Sequence, residues 1–148
     1  MIDKAMVMKR FVMRAGAFVL LVASYGCGKQ ARLVPVEGIV RIGGEPAANI
    51  AVQFLPDAVA GEPRPSSFAT TDDEGIFRLL VAGDRQGAVV GQHSIILADC
   101  DEERPAQGER LQRPPRLHGR YSTMAGGLRA TVEEDGGRLE IDVPAIQK

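Results

Sequence analysis

The sequence contains no tryptophan, few aromatic residues, only two cysteines and almost no net charge. Aromatic residues make up 5% of the 148, so a surface of stacked rings for holding sugars has few candidates. Two cysteines cannot form a disulfide framework, and no Cys/His cluster has structural zinc spacing. A net charge of -1 excludes the broad positive field that gathers nucleic acid. We therefore expect no nucleic-acid partner, no metal and no cofactor.

No apolar run is long enough to span a membrane, which takes about 20 residues. The longest run, residues 15–23, is preceded by basic residues and followed by small ones up to Gly26. This order is typical of a secretory signal, so residues 1–26 are predicted to be removed on export. They hold four basic side chains and one acidic one, and the mature chain is therefore more acidic than the whole. Because Asp3 is unusual in such a signal, Met8 is an alternative start.

Cys27 directly follows Gly26, and this pair resembles the lipobox of bacterial lipoproteins. The resemblance implies that Cys27 is the lipid attachment site and that acyl chains anchor the mature protein in a membrane. Ser24 stands where the pattern prefers leucine. The alternative is an ordinary secretory signal, with Cys27 left as a thiol or removed. Gly28 is not the aspartate associated with inner-membrane retention, so the outer membrane or its periplasmic face is the favoured location.

The rest of the chain alternates apolar and polar residues with a period of two, which predicts β-strands. The predicted strands are residues 36–42, 49–55, 68–71, 76–81, 92–98, 128–133 and 138–143. All nine prolines lie between or at the ends of these segments, as expected because proline cannot donate to a sheet. The pattern predicts an all-β protein, a seven-stranded antiparallel two-sheet sandwich in residues 35–148. Residues 27–34 are predicted to be the lipidated N-terminus and its tether.

Several motifs follow one another in a familiar order. A glycine and proline turn at residues 43–46 precedes an aromatic-containing strand, then a T-D-x-x-G-x-F hairpin at residues 71–77, then a strand beginning at Gly91. This order resembles the carboxypeptidase regulatory-like, transthyretin-related (prealbumin-like) sandwich of exported bacterial proteins, over roughly residues 36–144. The tail from residue 118 is similar to the ending of small lipoproteins of this type. The resemblance implies a fold and a binding or structural role, without a shared chemistry.

One enzyme of similar fold, the transthyretin-like hydrolase of purine breakdown, uses histidine and arginine with a C-terminal Tyr-Arg-Gly-Ser. This chain lacks that ending, and such activity would require His93, His118 and Arg120 in one pocket. No G-x-S-x-G turn supports a serine hydrolase either. We therefore predict that the protein is not an enzyme and that His93 is a strand residue. Asp72, Asp73 and Glu74 fit a turn better than a calcium site, because the full ligand loop is missing.

The segment from residue 99 to 116 holds five acidic residues, four arginines and three prolines and cannot form a core. It is either a functional surface or a mobile loop, and with residues 61–67 it offers the exposed candidates for recognition. The candidate ligand surface, suited to anionic glycans, comprises Arg113, Arg116, Arg120 and Tyr121. Cys100 is either buried and inert or exposed and able to pair with another chain.

These observations predict a non-catalytic, lipid-anchored protein of the bacterial cell envelope. It would act as a binding or structural module for an envelope protein or a glycan. The alternative function is a carbohydrate-binding or adhesion module, although the mature chain offers Tyr121 as its main ring for stacking on sugars. Hydrolase activity is the third and least supported alternative.

Overall fold

The computed structural model describes residues 31–101 and 114–146, and this part of the chain is all-β. The strands are β1 (Leu33–Val34), β2 (Val36–Ile42), β3 (Glu45–Pro46), β4 (Ile50–Pro56), β5 (Ser67–Thr70), β6 (Ile76–Arg78), β7 (Leu80–Val81), β8 (Arg85–Gln86), β9 (Ala88–Val89), β10 (Gly91–Asp99), β11 (Arg129–Val132) and β12 (Gly137–Val143). Within these ranges the helical pieces are two short 3₁₀ turns, Gly119–Ser122 and Met124–Gly126. Neither they nor any other described segment forms a helix able to cross a membrane.

The strands form two main sheets. One is antiparallel and six-stranded, in the order β11, β10, β4, β5, β7, β8. In the other, β2 lies between β12 on one side and β3 and β6 on the other. A short pair of β1 with β9 joins the start of the described chain to the domain. Leu33 and Val34, predicted to end the tether, therefore belong to the fold.

The pairing of β12 with β2 corrects the prediction of a purely antiparallel sandwich. The two strands are parallel, with Gly137 opposite Val36 and Val143 opposite Ile42. A parallel pair needs a long crossover between its strands, and here nearly the whole domain lies between them. Alternation of apolar residues shows which face of a strand is buried but not its direction, so the sequence pattern could not reveal this pairing.

The predicted strand at residues 76–81 is divided between the two sheets. Its first part, β6, pairs with β2, and its second part, β7, pairs with β5. Leu79 lies at the crossing, where it is 1% exposed and its backbone N–H donates to the Val36 carbonyl. The chain thus passes from one sheet to the other at a buried residue.

The core lies between the two sheets and follows the predicted alternation. Its largest members from the six-stranded sheet include Ile50, Val52 and Phe54, which share the buried face of β4. The rings of Phe54 and Phe77 join the two sheets, with centroids 6.2 Å apart. Gly38 makes this contact feasible, because a Cβ there would overlap the Phe77 ring. The all-β, sandwich-like prediction is confirmed at this level.

The hairpin at residues 71–77 has the turn chemistry that its sequence predicts. The Asp72 carboxylate accepts backbone N–H bonds from Glu74 and Ile76, at 3.1 and 2.8 Å. Gly75 has φ of 76°, and a Cβ there would lie 2.8 Å from the Val40 carbonyl oxygen. Asp72 therefore serves the turn.

Candidate functional site

The candidate ligand surface centres on Arg116, which directly follows Pro114 and Pro115. Its guanidinium makes a two-pronged contact with Asp99, in which Nε donates to Oδ2 at 2.8 Å and Nη2 donates to Oδ1. Nη2 also donates to Asp101 Oδ2 at 3.2 Å and to the Ala48 carbonyl at 3.1 Å. The Arg116 side chain is 37% exposed, but its Nε and Nη2 donors are bonded within the protein. It holds the protein together here rather than offering a free positive charge.

Asp99 is the buried partner in this contact, since its side chain is only 5% exposed. Besides the two bonds from Arg116, it accepts the backbone N–H of Asp101 at 3.0 Å. The bonds from Arg116 lower the pKa of Asp99 despite its burial, and the same contact raises the pKa of Arg116. Asn49 joins the cluster through its side-chain amide, which donates to Asp101 Oδ1 at 3.1 Å. We call Asn49, Asp99, Asp101 and Arg116 the Asp99 cluster.

Arg120 and Tyr121 form a separate unit on the first 3₁₀ turn. The Arg120 guanidinium lies 4.7 Å from the centroid of the Tyr121 ring and donates to its hydroxyl at 2.6 Å. Tyr121 is 3% exposed, so its ring packs into the core and offers no stacking platform to a sugar. His118 caps the same turn, where its Nδ1 accepts the Arg120 backbone N–H at 3.2 Å. Of the pair, Arg120 alone is exposed to solvent.

A shallow cleft of about 340 Å³ lies beside the Asp99 cluster. Its lining includes Ile42, Pro114, Pro115, Arg116 and Ile146. Its walls are mainly apolar, and its charged members are Glu45 and Arg116, the latter already bonded to Asp99. The cleft is therefore a mainly apolar depression with one acidic and one basic side chain in its lining.

His93 lies at the opposite end of β10 and is fully buried, at 0% exposure. Its ring centroid is 5.6 Å from that of Phe54, and its Nε2 lies 2.7 Å from the Val89 carbonyl oxygen. Because a carbonyl only accepts, Nε2 carries the proton and Nδ1 is a lone-pair acceptor. Nδ1 has no bonding partner among the described residues. Burial lowers the pKa of His93, which favours this neutral form.

Two further polar side chains near this end of the sheet are turned inward. Ser67 begins β5 and is 0% exposed, and its hydroxyl has no partner in the described part of the chain. Arg64 donates from Nη1 to the Asp57 carbonyl at 2.8 Å and from Nη2 to the Val90 carbonyl. Gly91 leaves room for it, since a Cβ there would lie 2.8 Å from Nη2. Residues 61–67, predicted to be an exposed loop, therefore contribute two side chains to the interior.

The structure assigns the residues that the sequence grouped to different local contacts. Arg116 belongs to the Asp99 cluster, and Arg120 and Tyr121 to the 3₁₀ turn, while Cys27 and Arg113 lie outside the described residues. Cys100 is exposed and free, so it is not the buried thiol of one prediction, and its pairing with another chain stays a prediction. Within residues 31–101 and 114–146, no three His, Cys, Asp or Glu side chains are grouped to hold a metal ion.

Sequence reasoning missed Asn49, Asp99, Arg64 and Ser67 as structural polar groups. Asn49 carried a usable signal, because asparagine tolerates the left-handed backbone that it adopts here, with φ of 58°. Asp99 and Arg64 bond to residues elsewhere in the chain, and the burial of Ser67 results from tertiary packing, so no local pattern indicates these three roles. Comparison of the chain with protein-family models, with curated proteins and with solved structures gave no match.

Proposed function

We propose that this chain is an exported, lipid-anchored, non-catalytic module of the bacterial cell envelope, with a binding or structural role. The observation that carries the proposal is the N-terminal sequence: basic residues, a short apolar run and Gly26 directly before Cys27. Acylation of Cys27 would place the domain at a membrane surface, with the outer membrane or its periplasmic face favoured.

The start of the fold supports this arrangement. Strand β1 begins at Leu33, only a few residues after Cys27, and its Val34 is 4% exposed. Leu33 and Val34 pair with Val89 and Ala88, so the segment leading from the anchor is fastened to the domain. A short connection of this kind would keep the sandwich close to the membrane surface.

We further propose that the fold is a carboxypeptidase regulatory-like, transthyretin-related sandwich. The turn geometry of residues 71–77 supports this assignment, as does the order of the motifs along the chain. A binding or structural role is consistent with the polar groups described above. Asp99 is bonded to Arg116 and His93 is fully buried, so neither the carboxylate nor the imidazole is open to solvent.

The anchor is tested by expressing the full chain in a bacterial host and comparing wild type with Cys27→Ser. The matched control is Cys100→Ser, because Cys100 is the other cysteine and its thiol is exposed and free. We expect wild type and Cys100→Ser in the membrane fraction, with acyl mass on the peptide that begins at Cys27. Cys27→Ser should lack both the mass and the membrane association.

An unacylated Cys27 in the wild-type protein would contradict the anchor, as would membrane association that survives Cys27→Ser. The partner is then sought by crosslinking wild type in the intact envelope, with Cys27→Ser as the comparison. Partners captured only by the anchored form would support a role at the membrane surface. Capture that is the same for both forms would show that the domain binds without its anchor.

A further inference from the structure

The last strand, β12, forms one border of its sheet. It pairs with β2 on one side, and no strand in residues 31–101 or 114–146 pairs with its other side. It is seven residues long and its sequence is GRLEIDV. A strand border of this length presents a row of backbone donors and acceptors that can template another strand.

Observed hydrogen bonds show which residues of β12 face outward along the sheet. The Gly137 N–H donates to the Pro35 carbonyl, and the Val143 carbonyl accepts from Gly43, so the odd-numbered residues bond toward β2. Backbone groups alternate in direction along a strand. The N–H and C=O of Arg138, Glu140 and Asp142 therefore point away from β2.

The side chains of these same three residues lie on the solvent-facing side, and all are exposed. Glu140 is paired within the chain, since its Oε1 accepts from Arg41 Nε at 2.8 Å. Arg138 and Asp142 make no salt bridge with any described residue, although Asp142 Oδ1 accepts the Gly44 N–H at 3.2 Å. Four residues apart in one strand, they are about 13 Å from each other and cannot pair within β12.

We propose that β12 is a self-association edge, to which a second copy of this chain adds its own β12 antiparallel about a two-fold axis through Glu140. In this register Arg138 of each copy lies opposite Asp142 of the other, so both unpaired charges gain an opposite partner. The outward backbone groups of Arg138, Glu140 and Asp142 then form the hydrogen-bonded pairs that an antiparallel ladder requires.

Two features of the single chain suit this arrangement. The two Glu140 side chains would face each other on the axis, and each is already neutralised by its own Arg41. On the other face, Leu139 would lie opposite Ile141 of the second copy, and both belong to the apolar side of β12. Shifting the axis to Ile141 would place Glu140 opposite Asp142, and like charges would disfavour that register.

Cysteine crosslinking in the full chain, in the membranes or extract where it is found, tests both the pairing and its register. The parent is Cys100→Ser, which removes the exposed free thiol and sets the background. Glu140→Cys in this parent should form a disulfide dimer on mild oxidation, because hydrogen-bonded antiparallel partners have Cα atoms about 5.5 Å apart. Arg138→Cys is the matched control, since the new thiol of one copy would lie opposite Asp142 of the other and far from the second new thiol.

We expect a dimer of this chain from Glu140→Cys, several-fold above both the parent and Arg138→Cys. Equal crosslinking by the two variants would indicate random collision and would overturn the proposal, as would no dimer from Glu140→Cys. A mixed disulfide between the Glu140→Cys variant and a different protein, identified by its mass, would also overturn it by assigning the edge to another partner.

Charge exchange provides a second and independent measurement in the Glu140→Cys, Cys100→Ser background. Arg138→Asp places two acidic residues opposite each other and should lower the crosslinking yield several-fold. Adding Asp142→Arg restores opposite charges in reversed order and should recover the yield. Recovery requires this register, whereas simple damage to the strand would leave the double variant at least as weak as the single one.

Discussion

Strand β10 carries a polar residue near each end, and the protein buries the two in different ways. At one end, His93 is fully buried beside Phe54, with one ring nitrogen bonded to Val89 and the other without a partner among the described residues. At the other end, both oxygens of Asp99 accept bonds from Arg116. Burial without full pairing disfavours a charge, whereas burial with a bonded cation favours one. The pKa of each group is lowered, for opposite physical reasons.

The difference indicates that buried His93 is stabilised by packing, whereas buried Asp99 is stabilised by its ion pair with Arg116. A neutral imidazole can remain in a core as a filler of space, with a single hydrogen bond to fix its orientation. A carboxylate at 5% exposure cannot remain charged in this way, and its stability depends on the guanidinium opposite it. Substitutions at the two ends of β10 should therefore destabilise the protein by different mechanisms.

The largest effect is expected from His93→Ala. Removing the ring leaves a cavity beside Phe54 and an unbonded Val89 carbonyl, and such truncations cost about 3 kcal/mol in the free energy of unfolding. Urea denaturation at about pH 7.5, above the ordinary histidine pKa, measures the loss. His118→Ala is the control, because that side chain is exposed and only caps a 3₁₀ turn, and it should cost no more than about 1 kcal/mol. Equal losses of unfolding free energy for the two variants would mean that the packing of His93 does not contribute to stability as proposed.

A smaller loss, of about 2 kcal/mol, is expected from Asp99→Ala, because the variant leaves the Arg116 guanidinium without its main partner while part of it remains buried. The same denaturation measurement applies, with Asp101→Ala as the comparison, because Asp101 bonds the same guanidinium from a side chain that is 43% exposed. That control should cost less than about 1 kcal/mol. A loss from Asp101→Ala as large as that from Asp99→Ala would contradict the central position of Asp99.

The next effect is a dependence of stability on pH. Because the folded-state pKa of His93 lies below its ordinary value of 6.5, the unfolded chain takes up a proton first as the pH falls. The full stability is present above pH 6.5, and it should decline below that value by up to about 1.4 kcal/mol per pH unit. The decline should stop once the pH falls through the folded-state pKa.

Two variants distinguish the contribution of His93 to this pH dependence from that of Asp99. His93→Phe should lose the decline that starts at pH 6.5, since a phenyl ring takes up no proton. Asp99→Asn should keep the decline that starts at pH 6.5. It should lose only the separate decline due to Asp99, which occurs at pH values below the ordinary pKa of that group, 3.8. The same slope just below pH 6.5 in wild type and His93→Phe would refute the assignment to His93.

The smallest effect is expected from Ser67→Ala. The Ser67 hydroxyl is buried without a partner in the described part of the chain, so its removal relieves a desolvation cost. Stability should stay the same or rise by up to about 1 kcal/mol. Thr71→Val is the contrast, because the Thr71 hydroxyl accepts from Ile50 at 2.9 Å and donates to Ala47 at 2.7 Å. Thr71→Val should cost about 1 to 2 kcal/mol. A loss of that size for Ser67→Ala would contradict the prediction, because it would show that the Ser67 hydroxyl makes a stabilising hydrogen bond.

The sequence predicted the strands well where one face is buried. Strand β2 begins and ends as predicted, and the alternation of Ile50, Val52 and Phe54 places all three in the core. The short strands β1, β3, β8 and β9 were not predicted, because two residues are too few to show a period. The turn at residues 71–77 could also be predicted, because it depends on neighbouring residues: Asp72 accepts backbone N–H bonds and Gly75 adopts a positive φ.

The candidate site was harder to predict, because its contacts join distant parts of the chain. Arg116 was chosen for its charge in a polar segment, and nothing near it in sequence indicates that Asp99 and the Ala48 carbonyl take up its donors. Tyr121 was chosen as an aromatic residue in a polar tail, yet its ring is buried. Whether a polar side chain faces solvent or a partner is decided by tertiary packing, which local composition does not encode.

The parallel pairing of β2 with β12 also bears on the order in which the domain folds. Arg41 and Glu140, which bridge these strands, are 99 residues apart in sequence. Contacts of such separation form late, since closing a long loop costs entropy before any contact compensates for it. Strand β2 can therefore form this pairing only after β12 has been synthesised. Until that point one border of β2 lacks the neighbour that covers it, and an unpaired strand border of this kind is prone to aggregation.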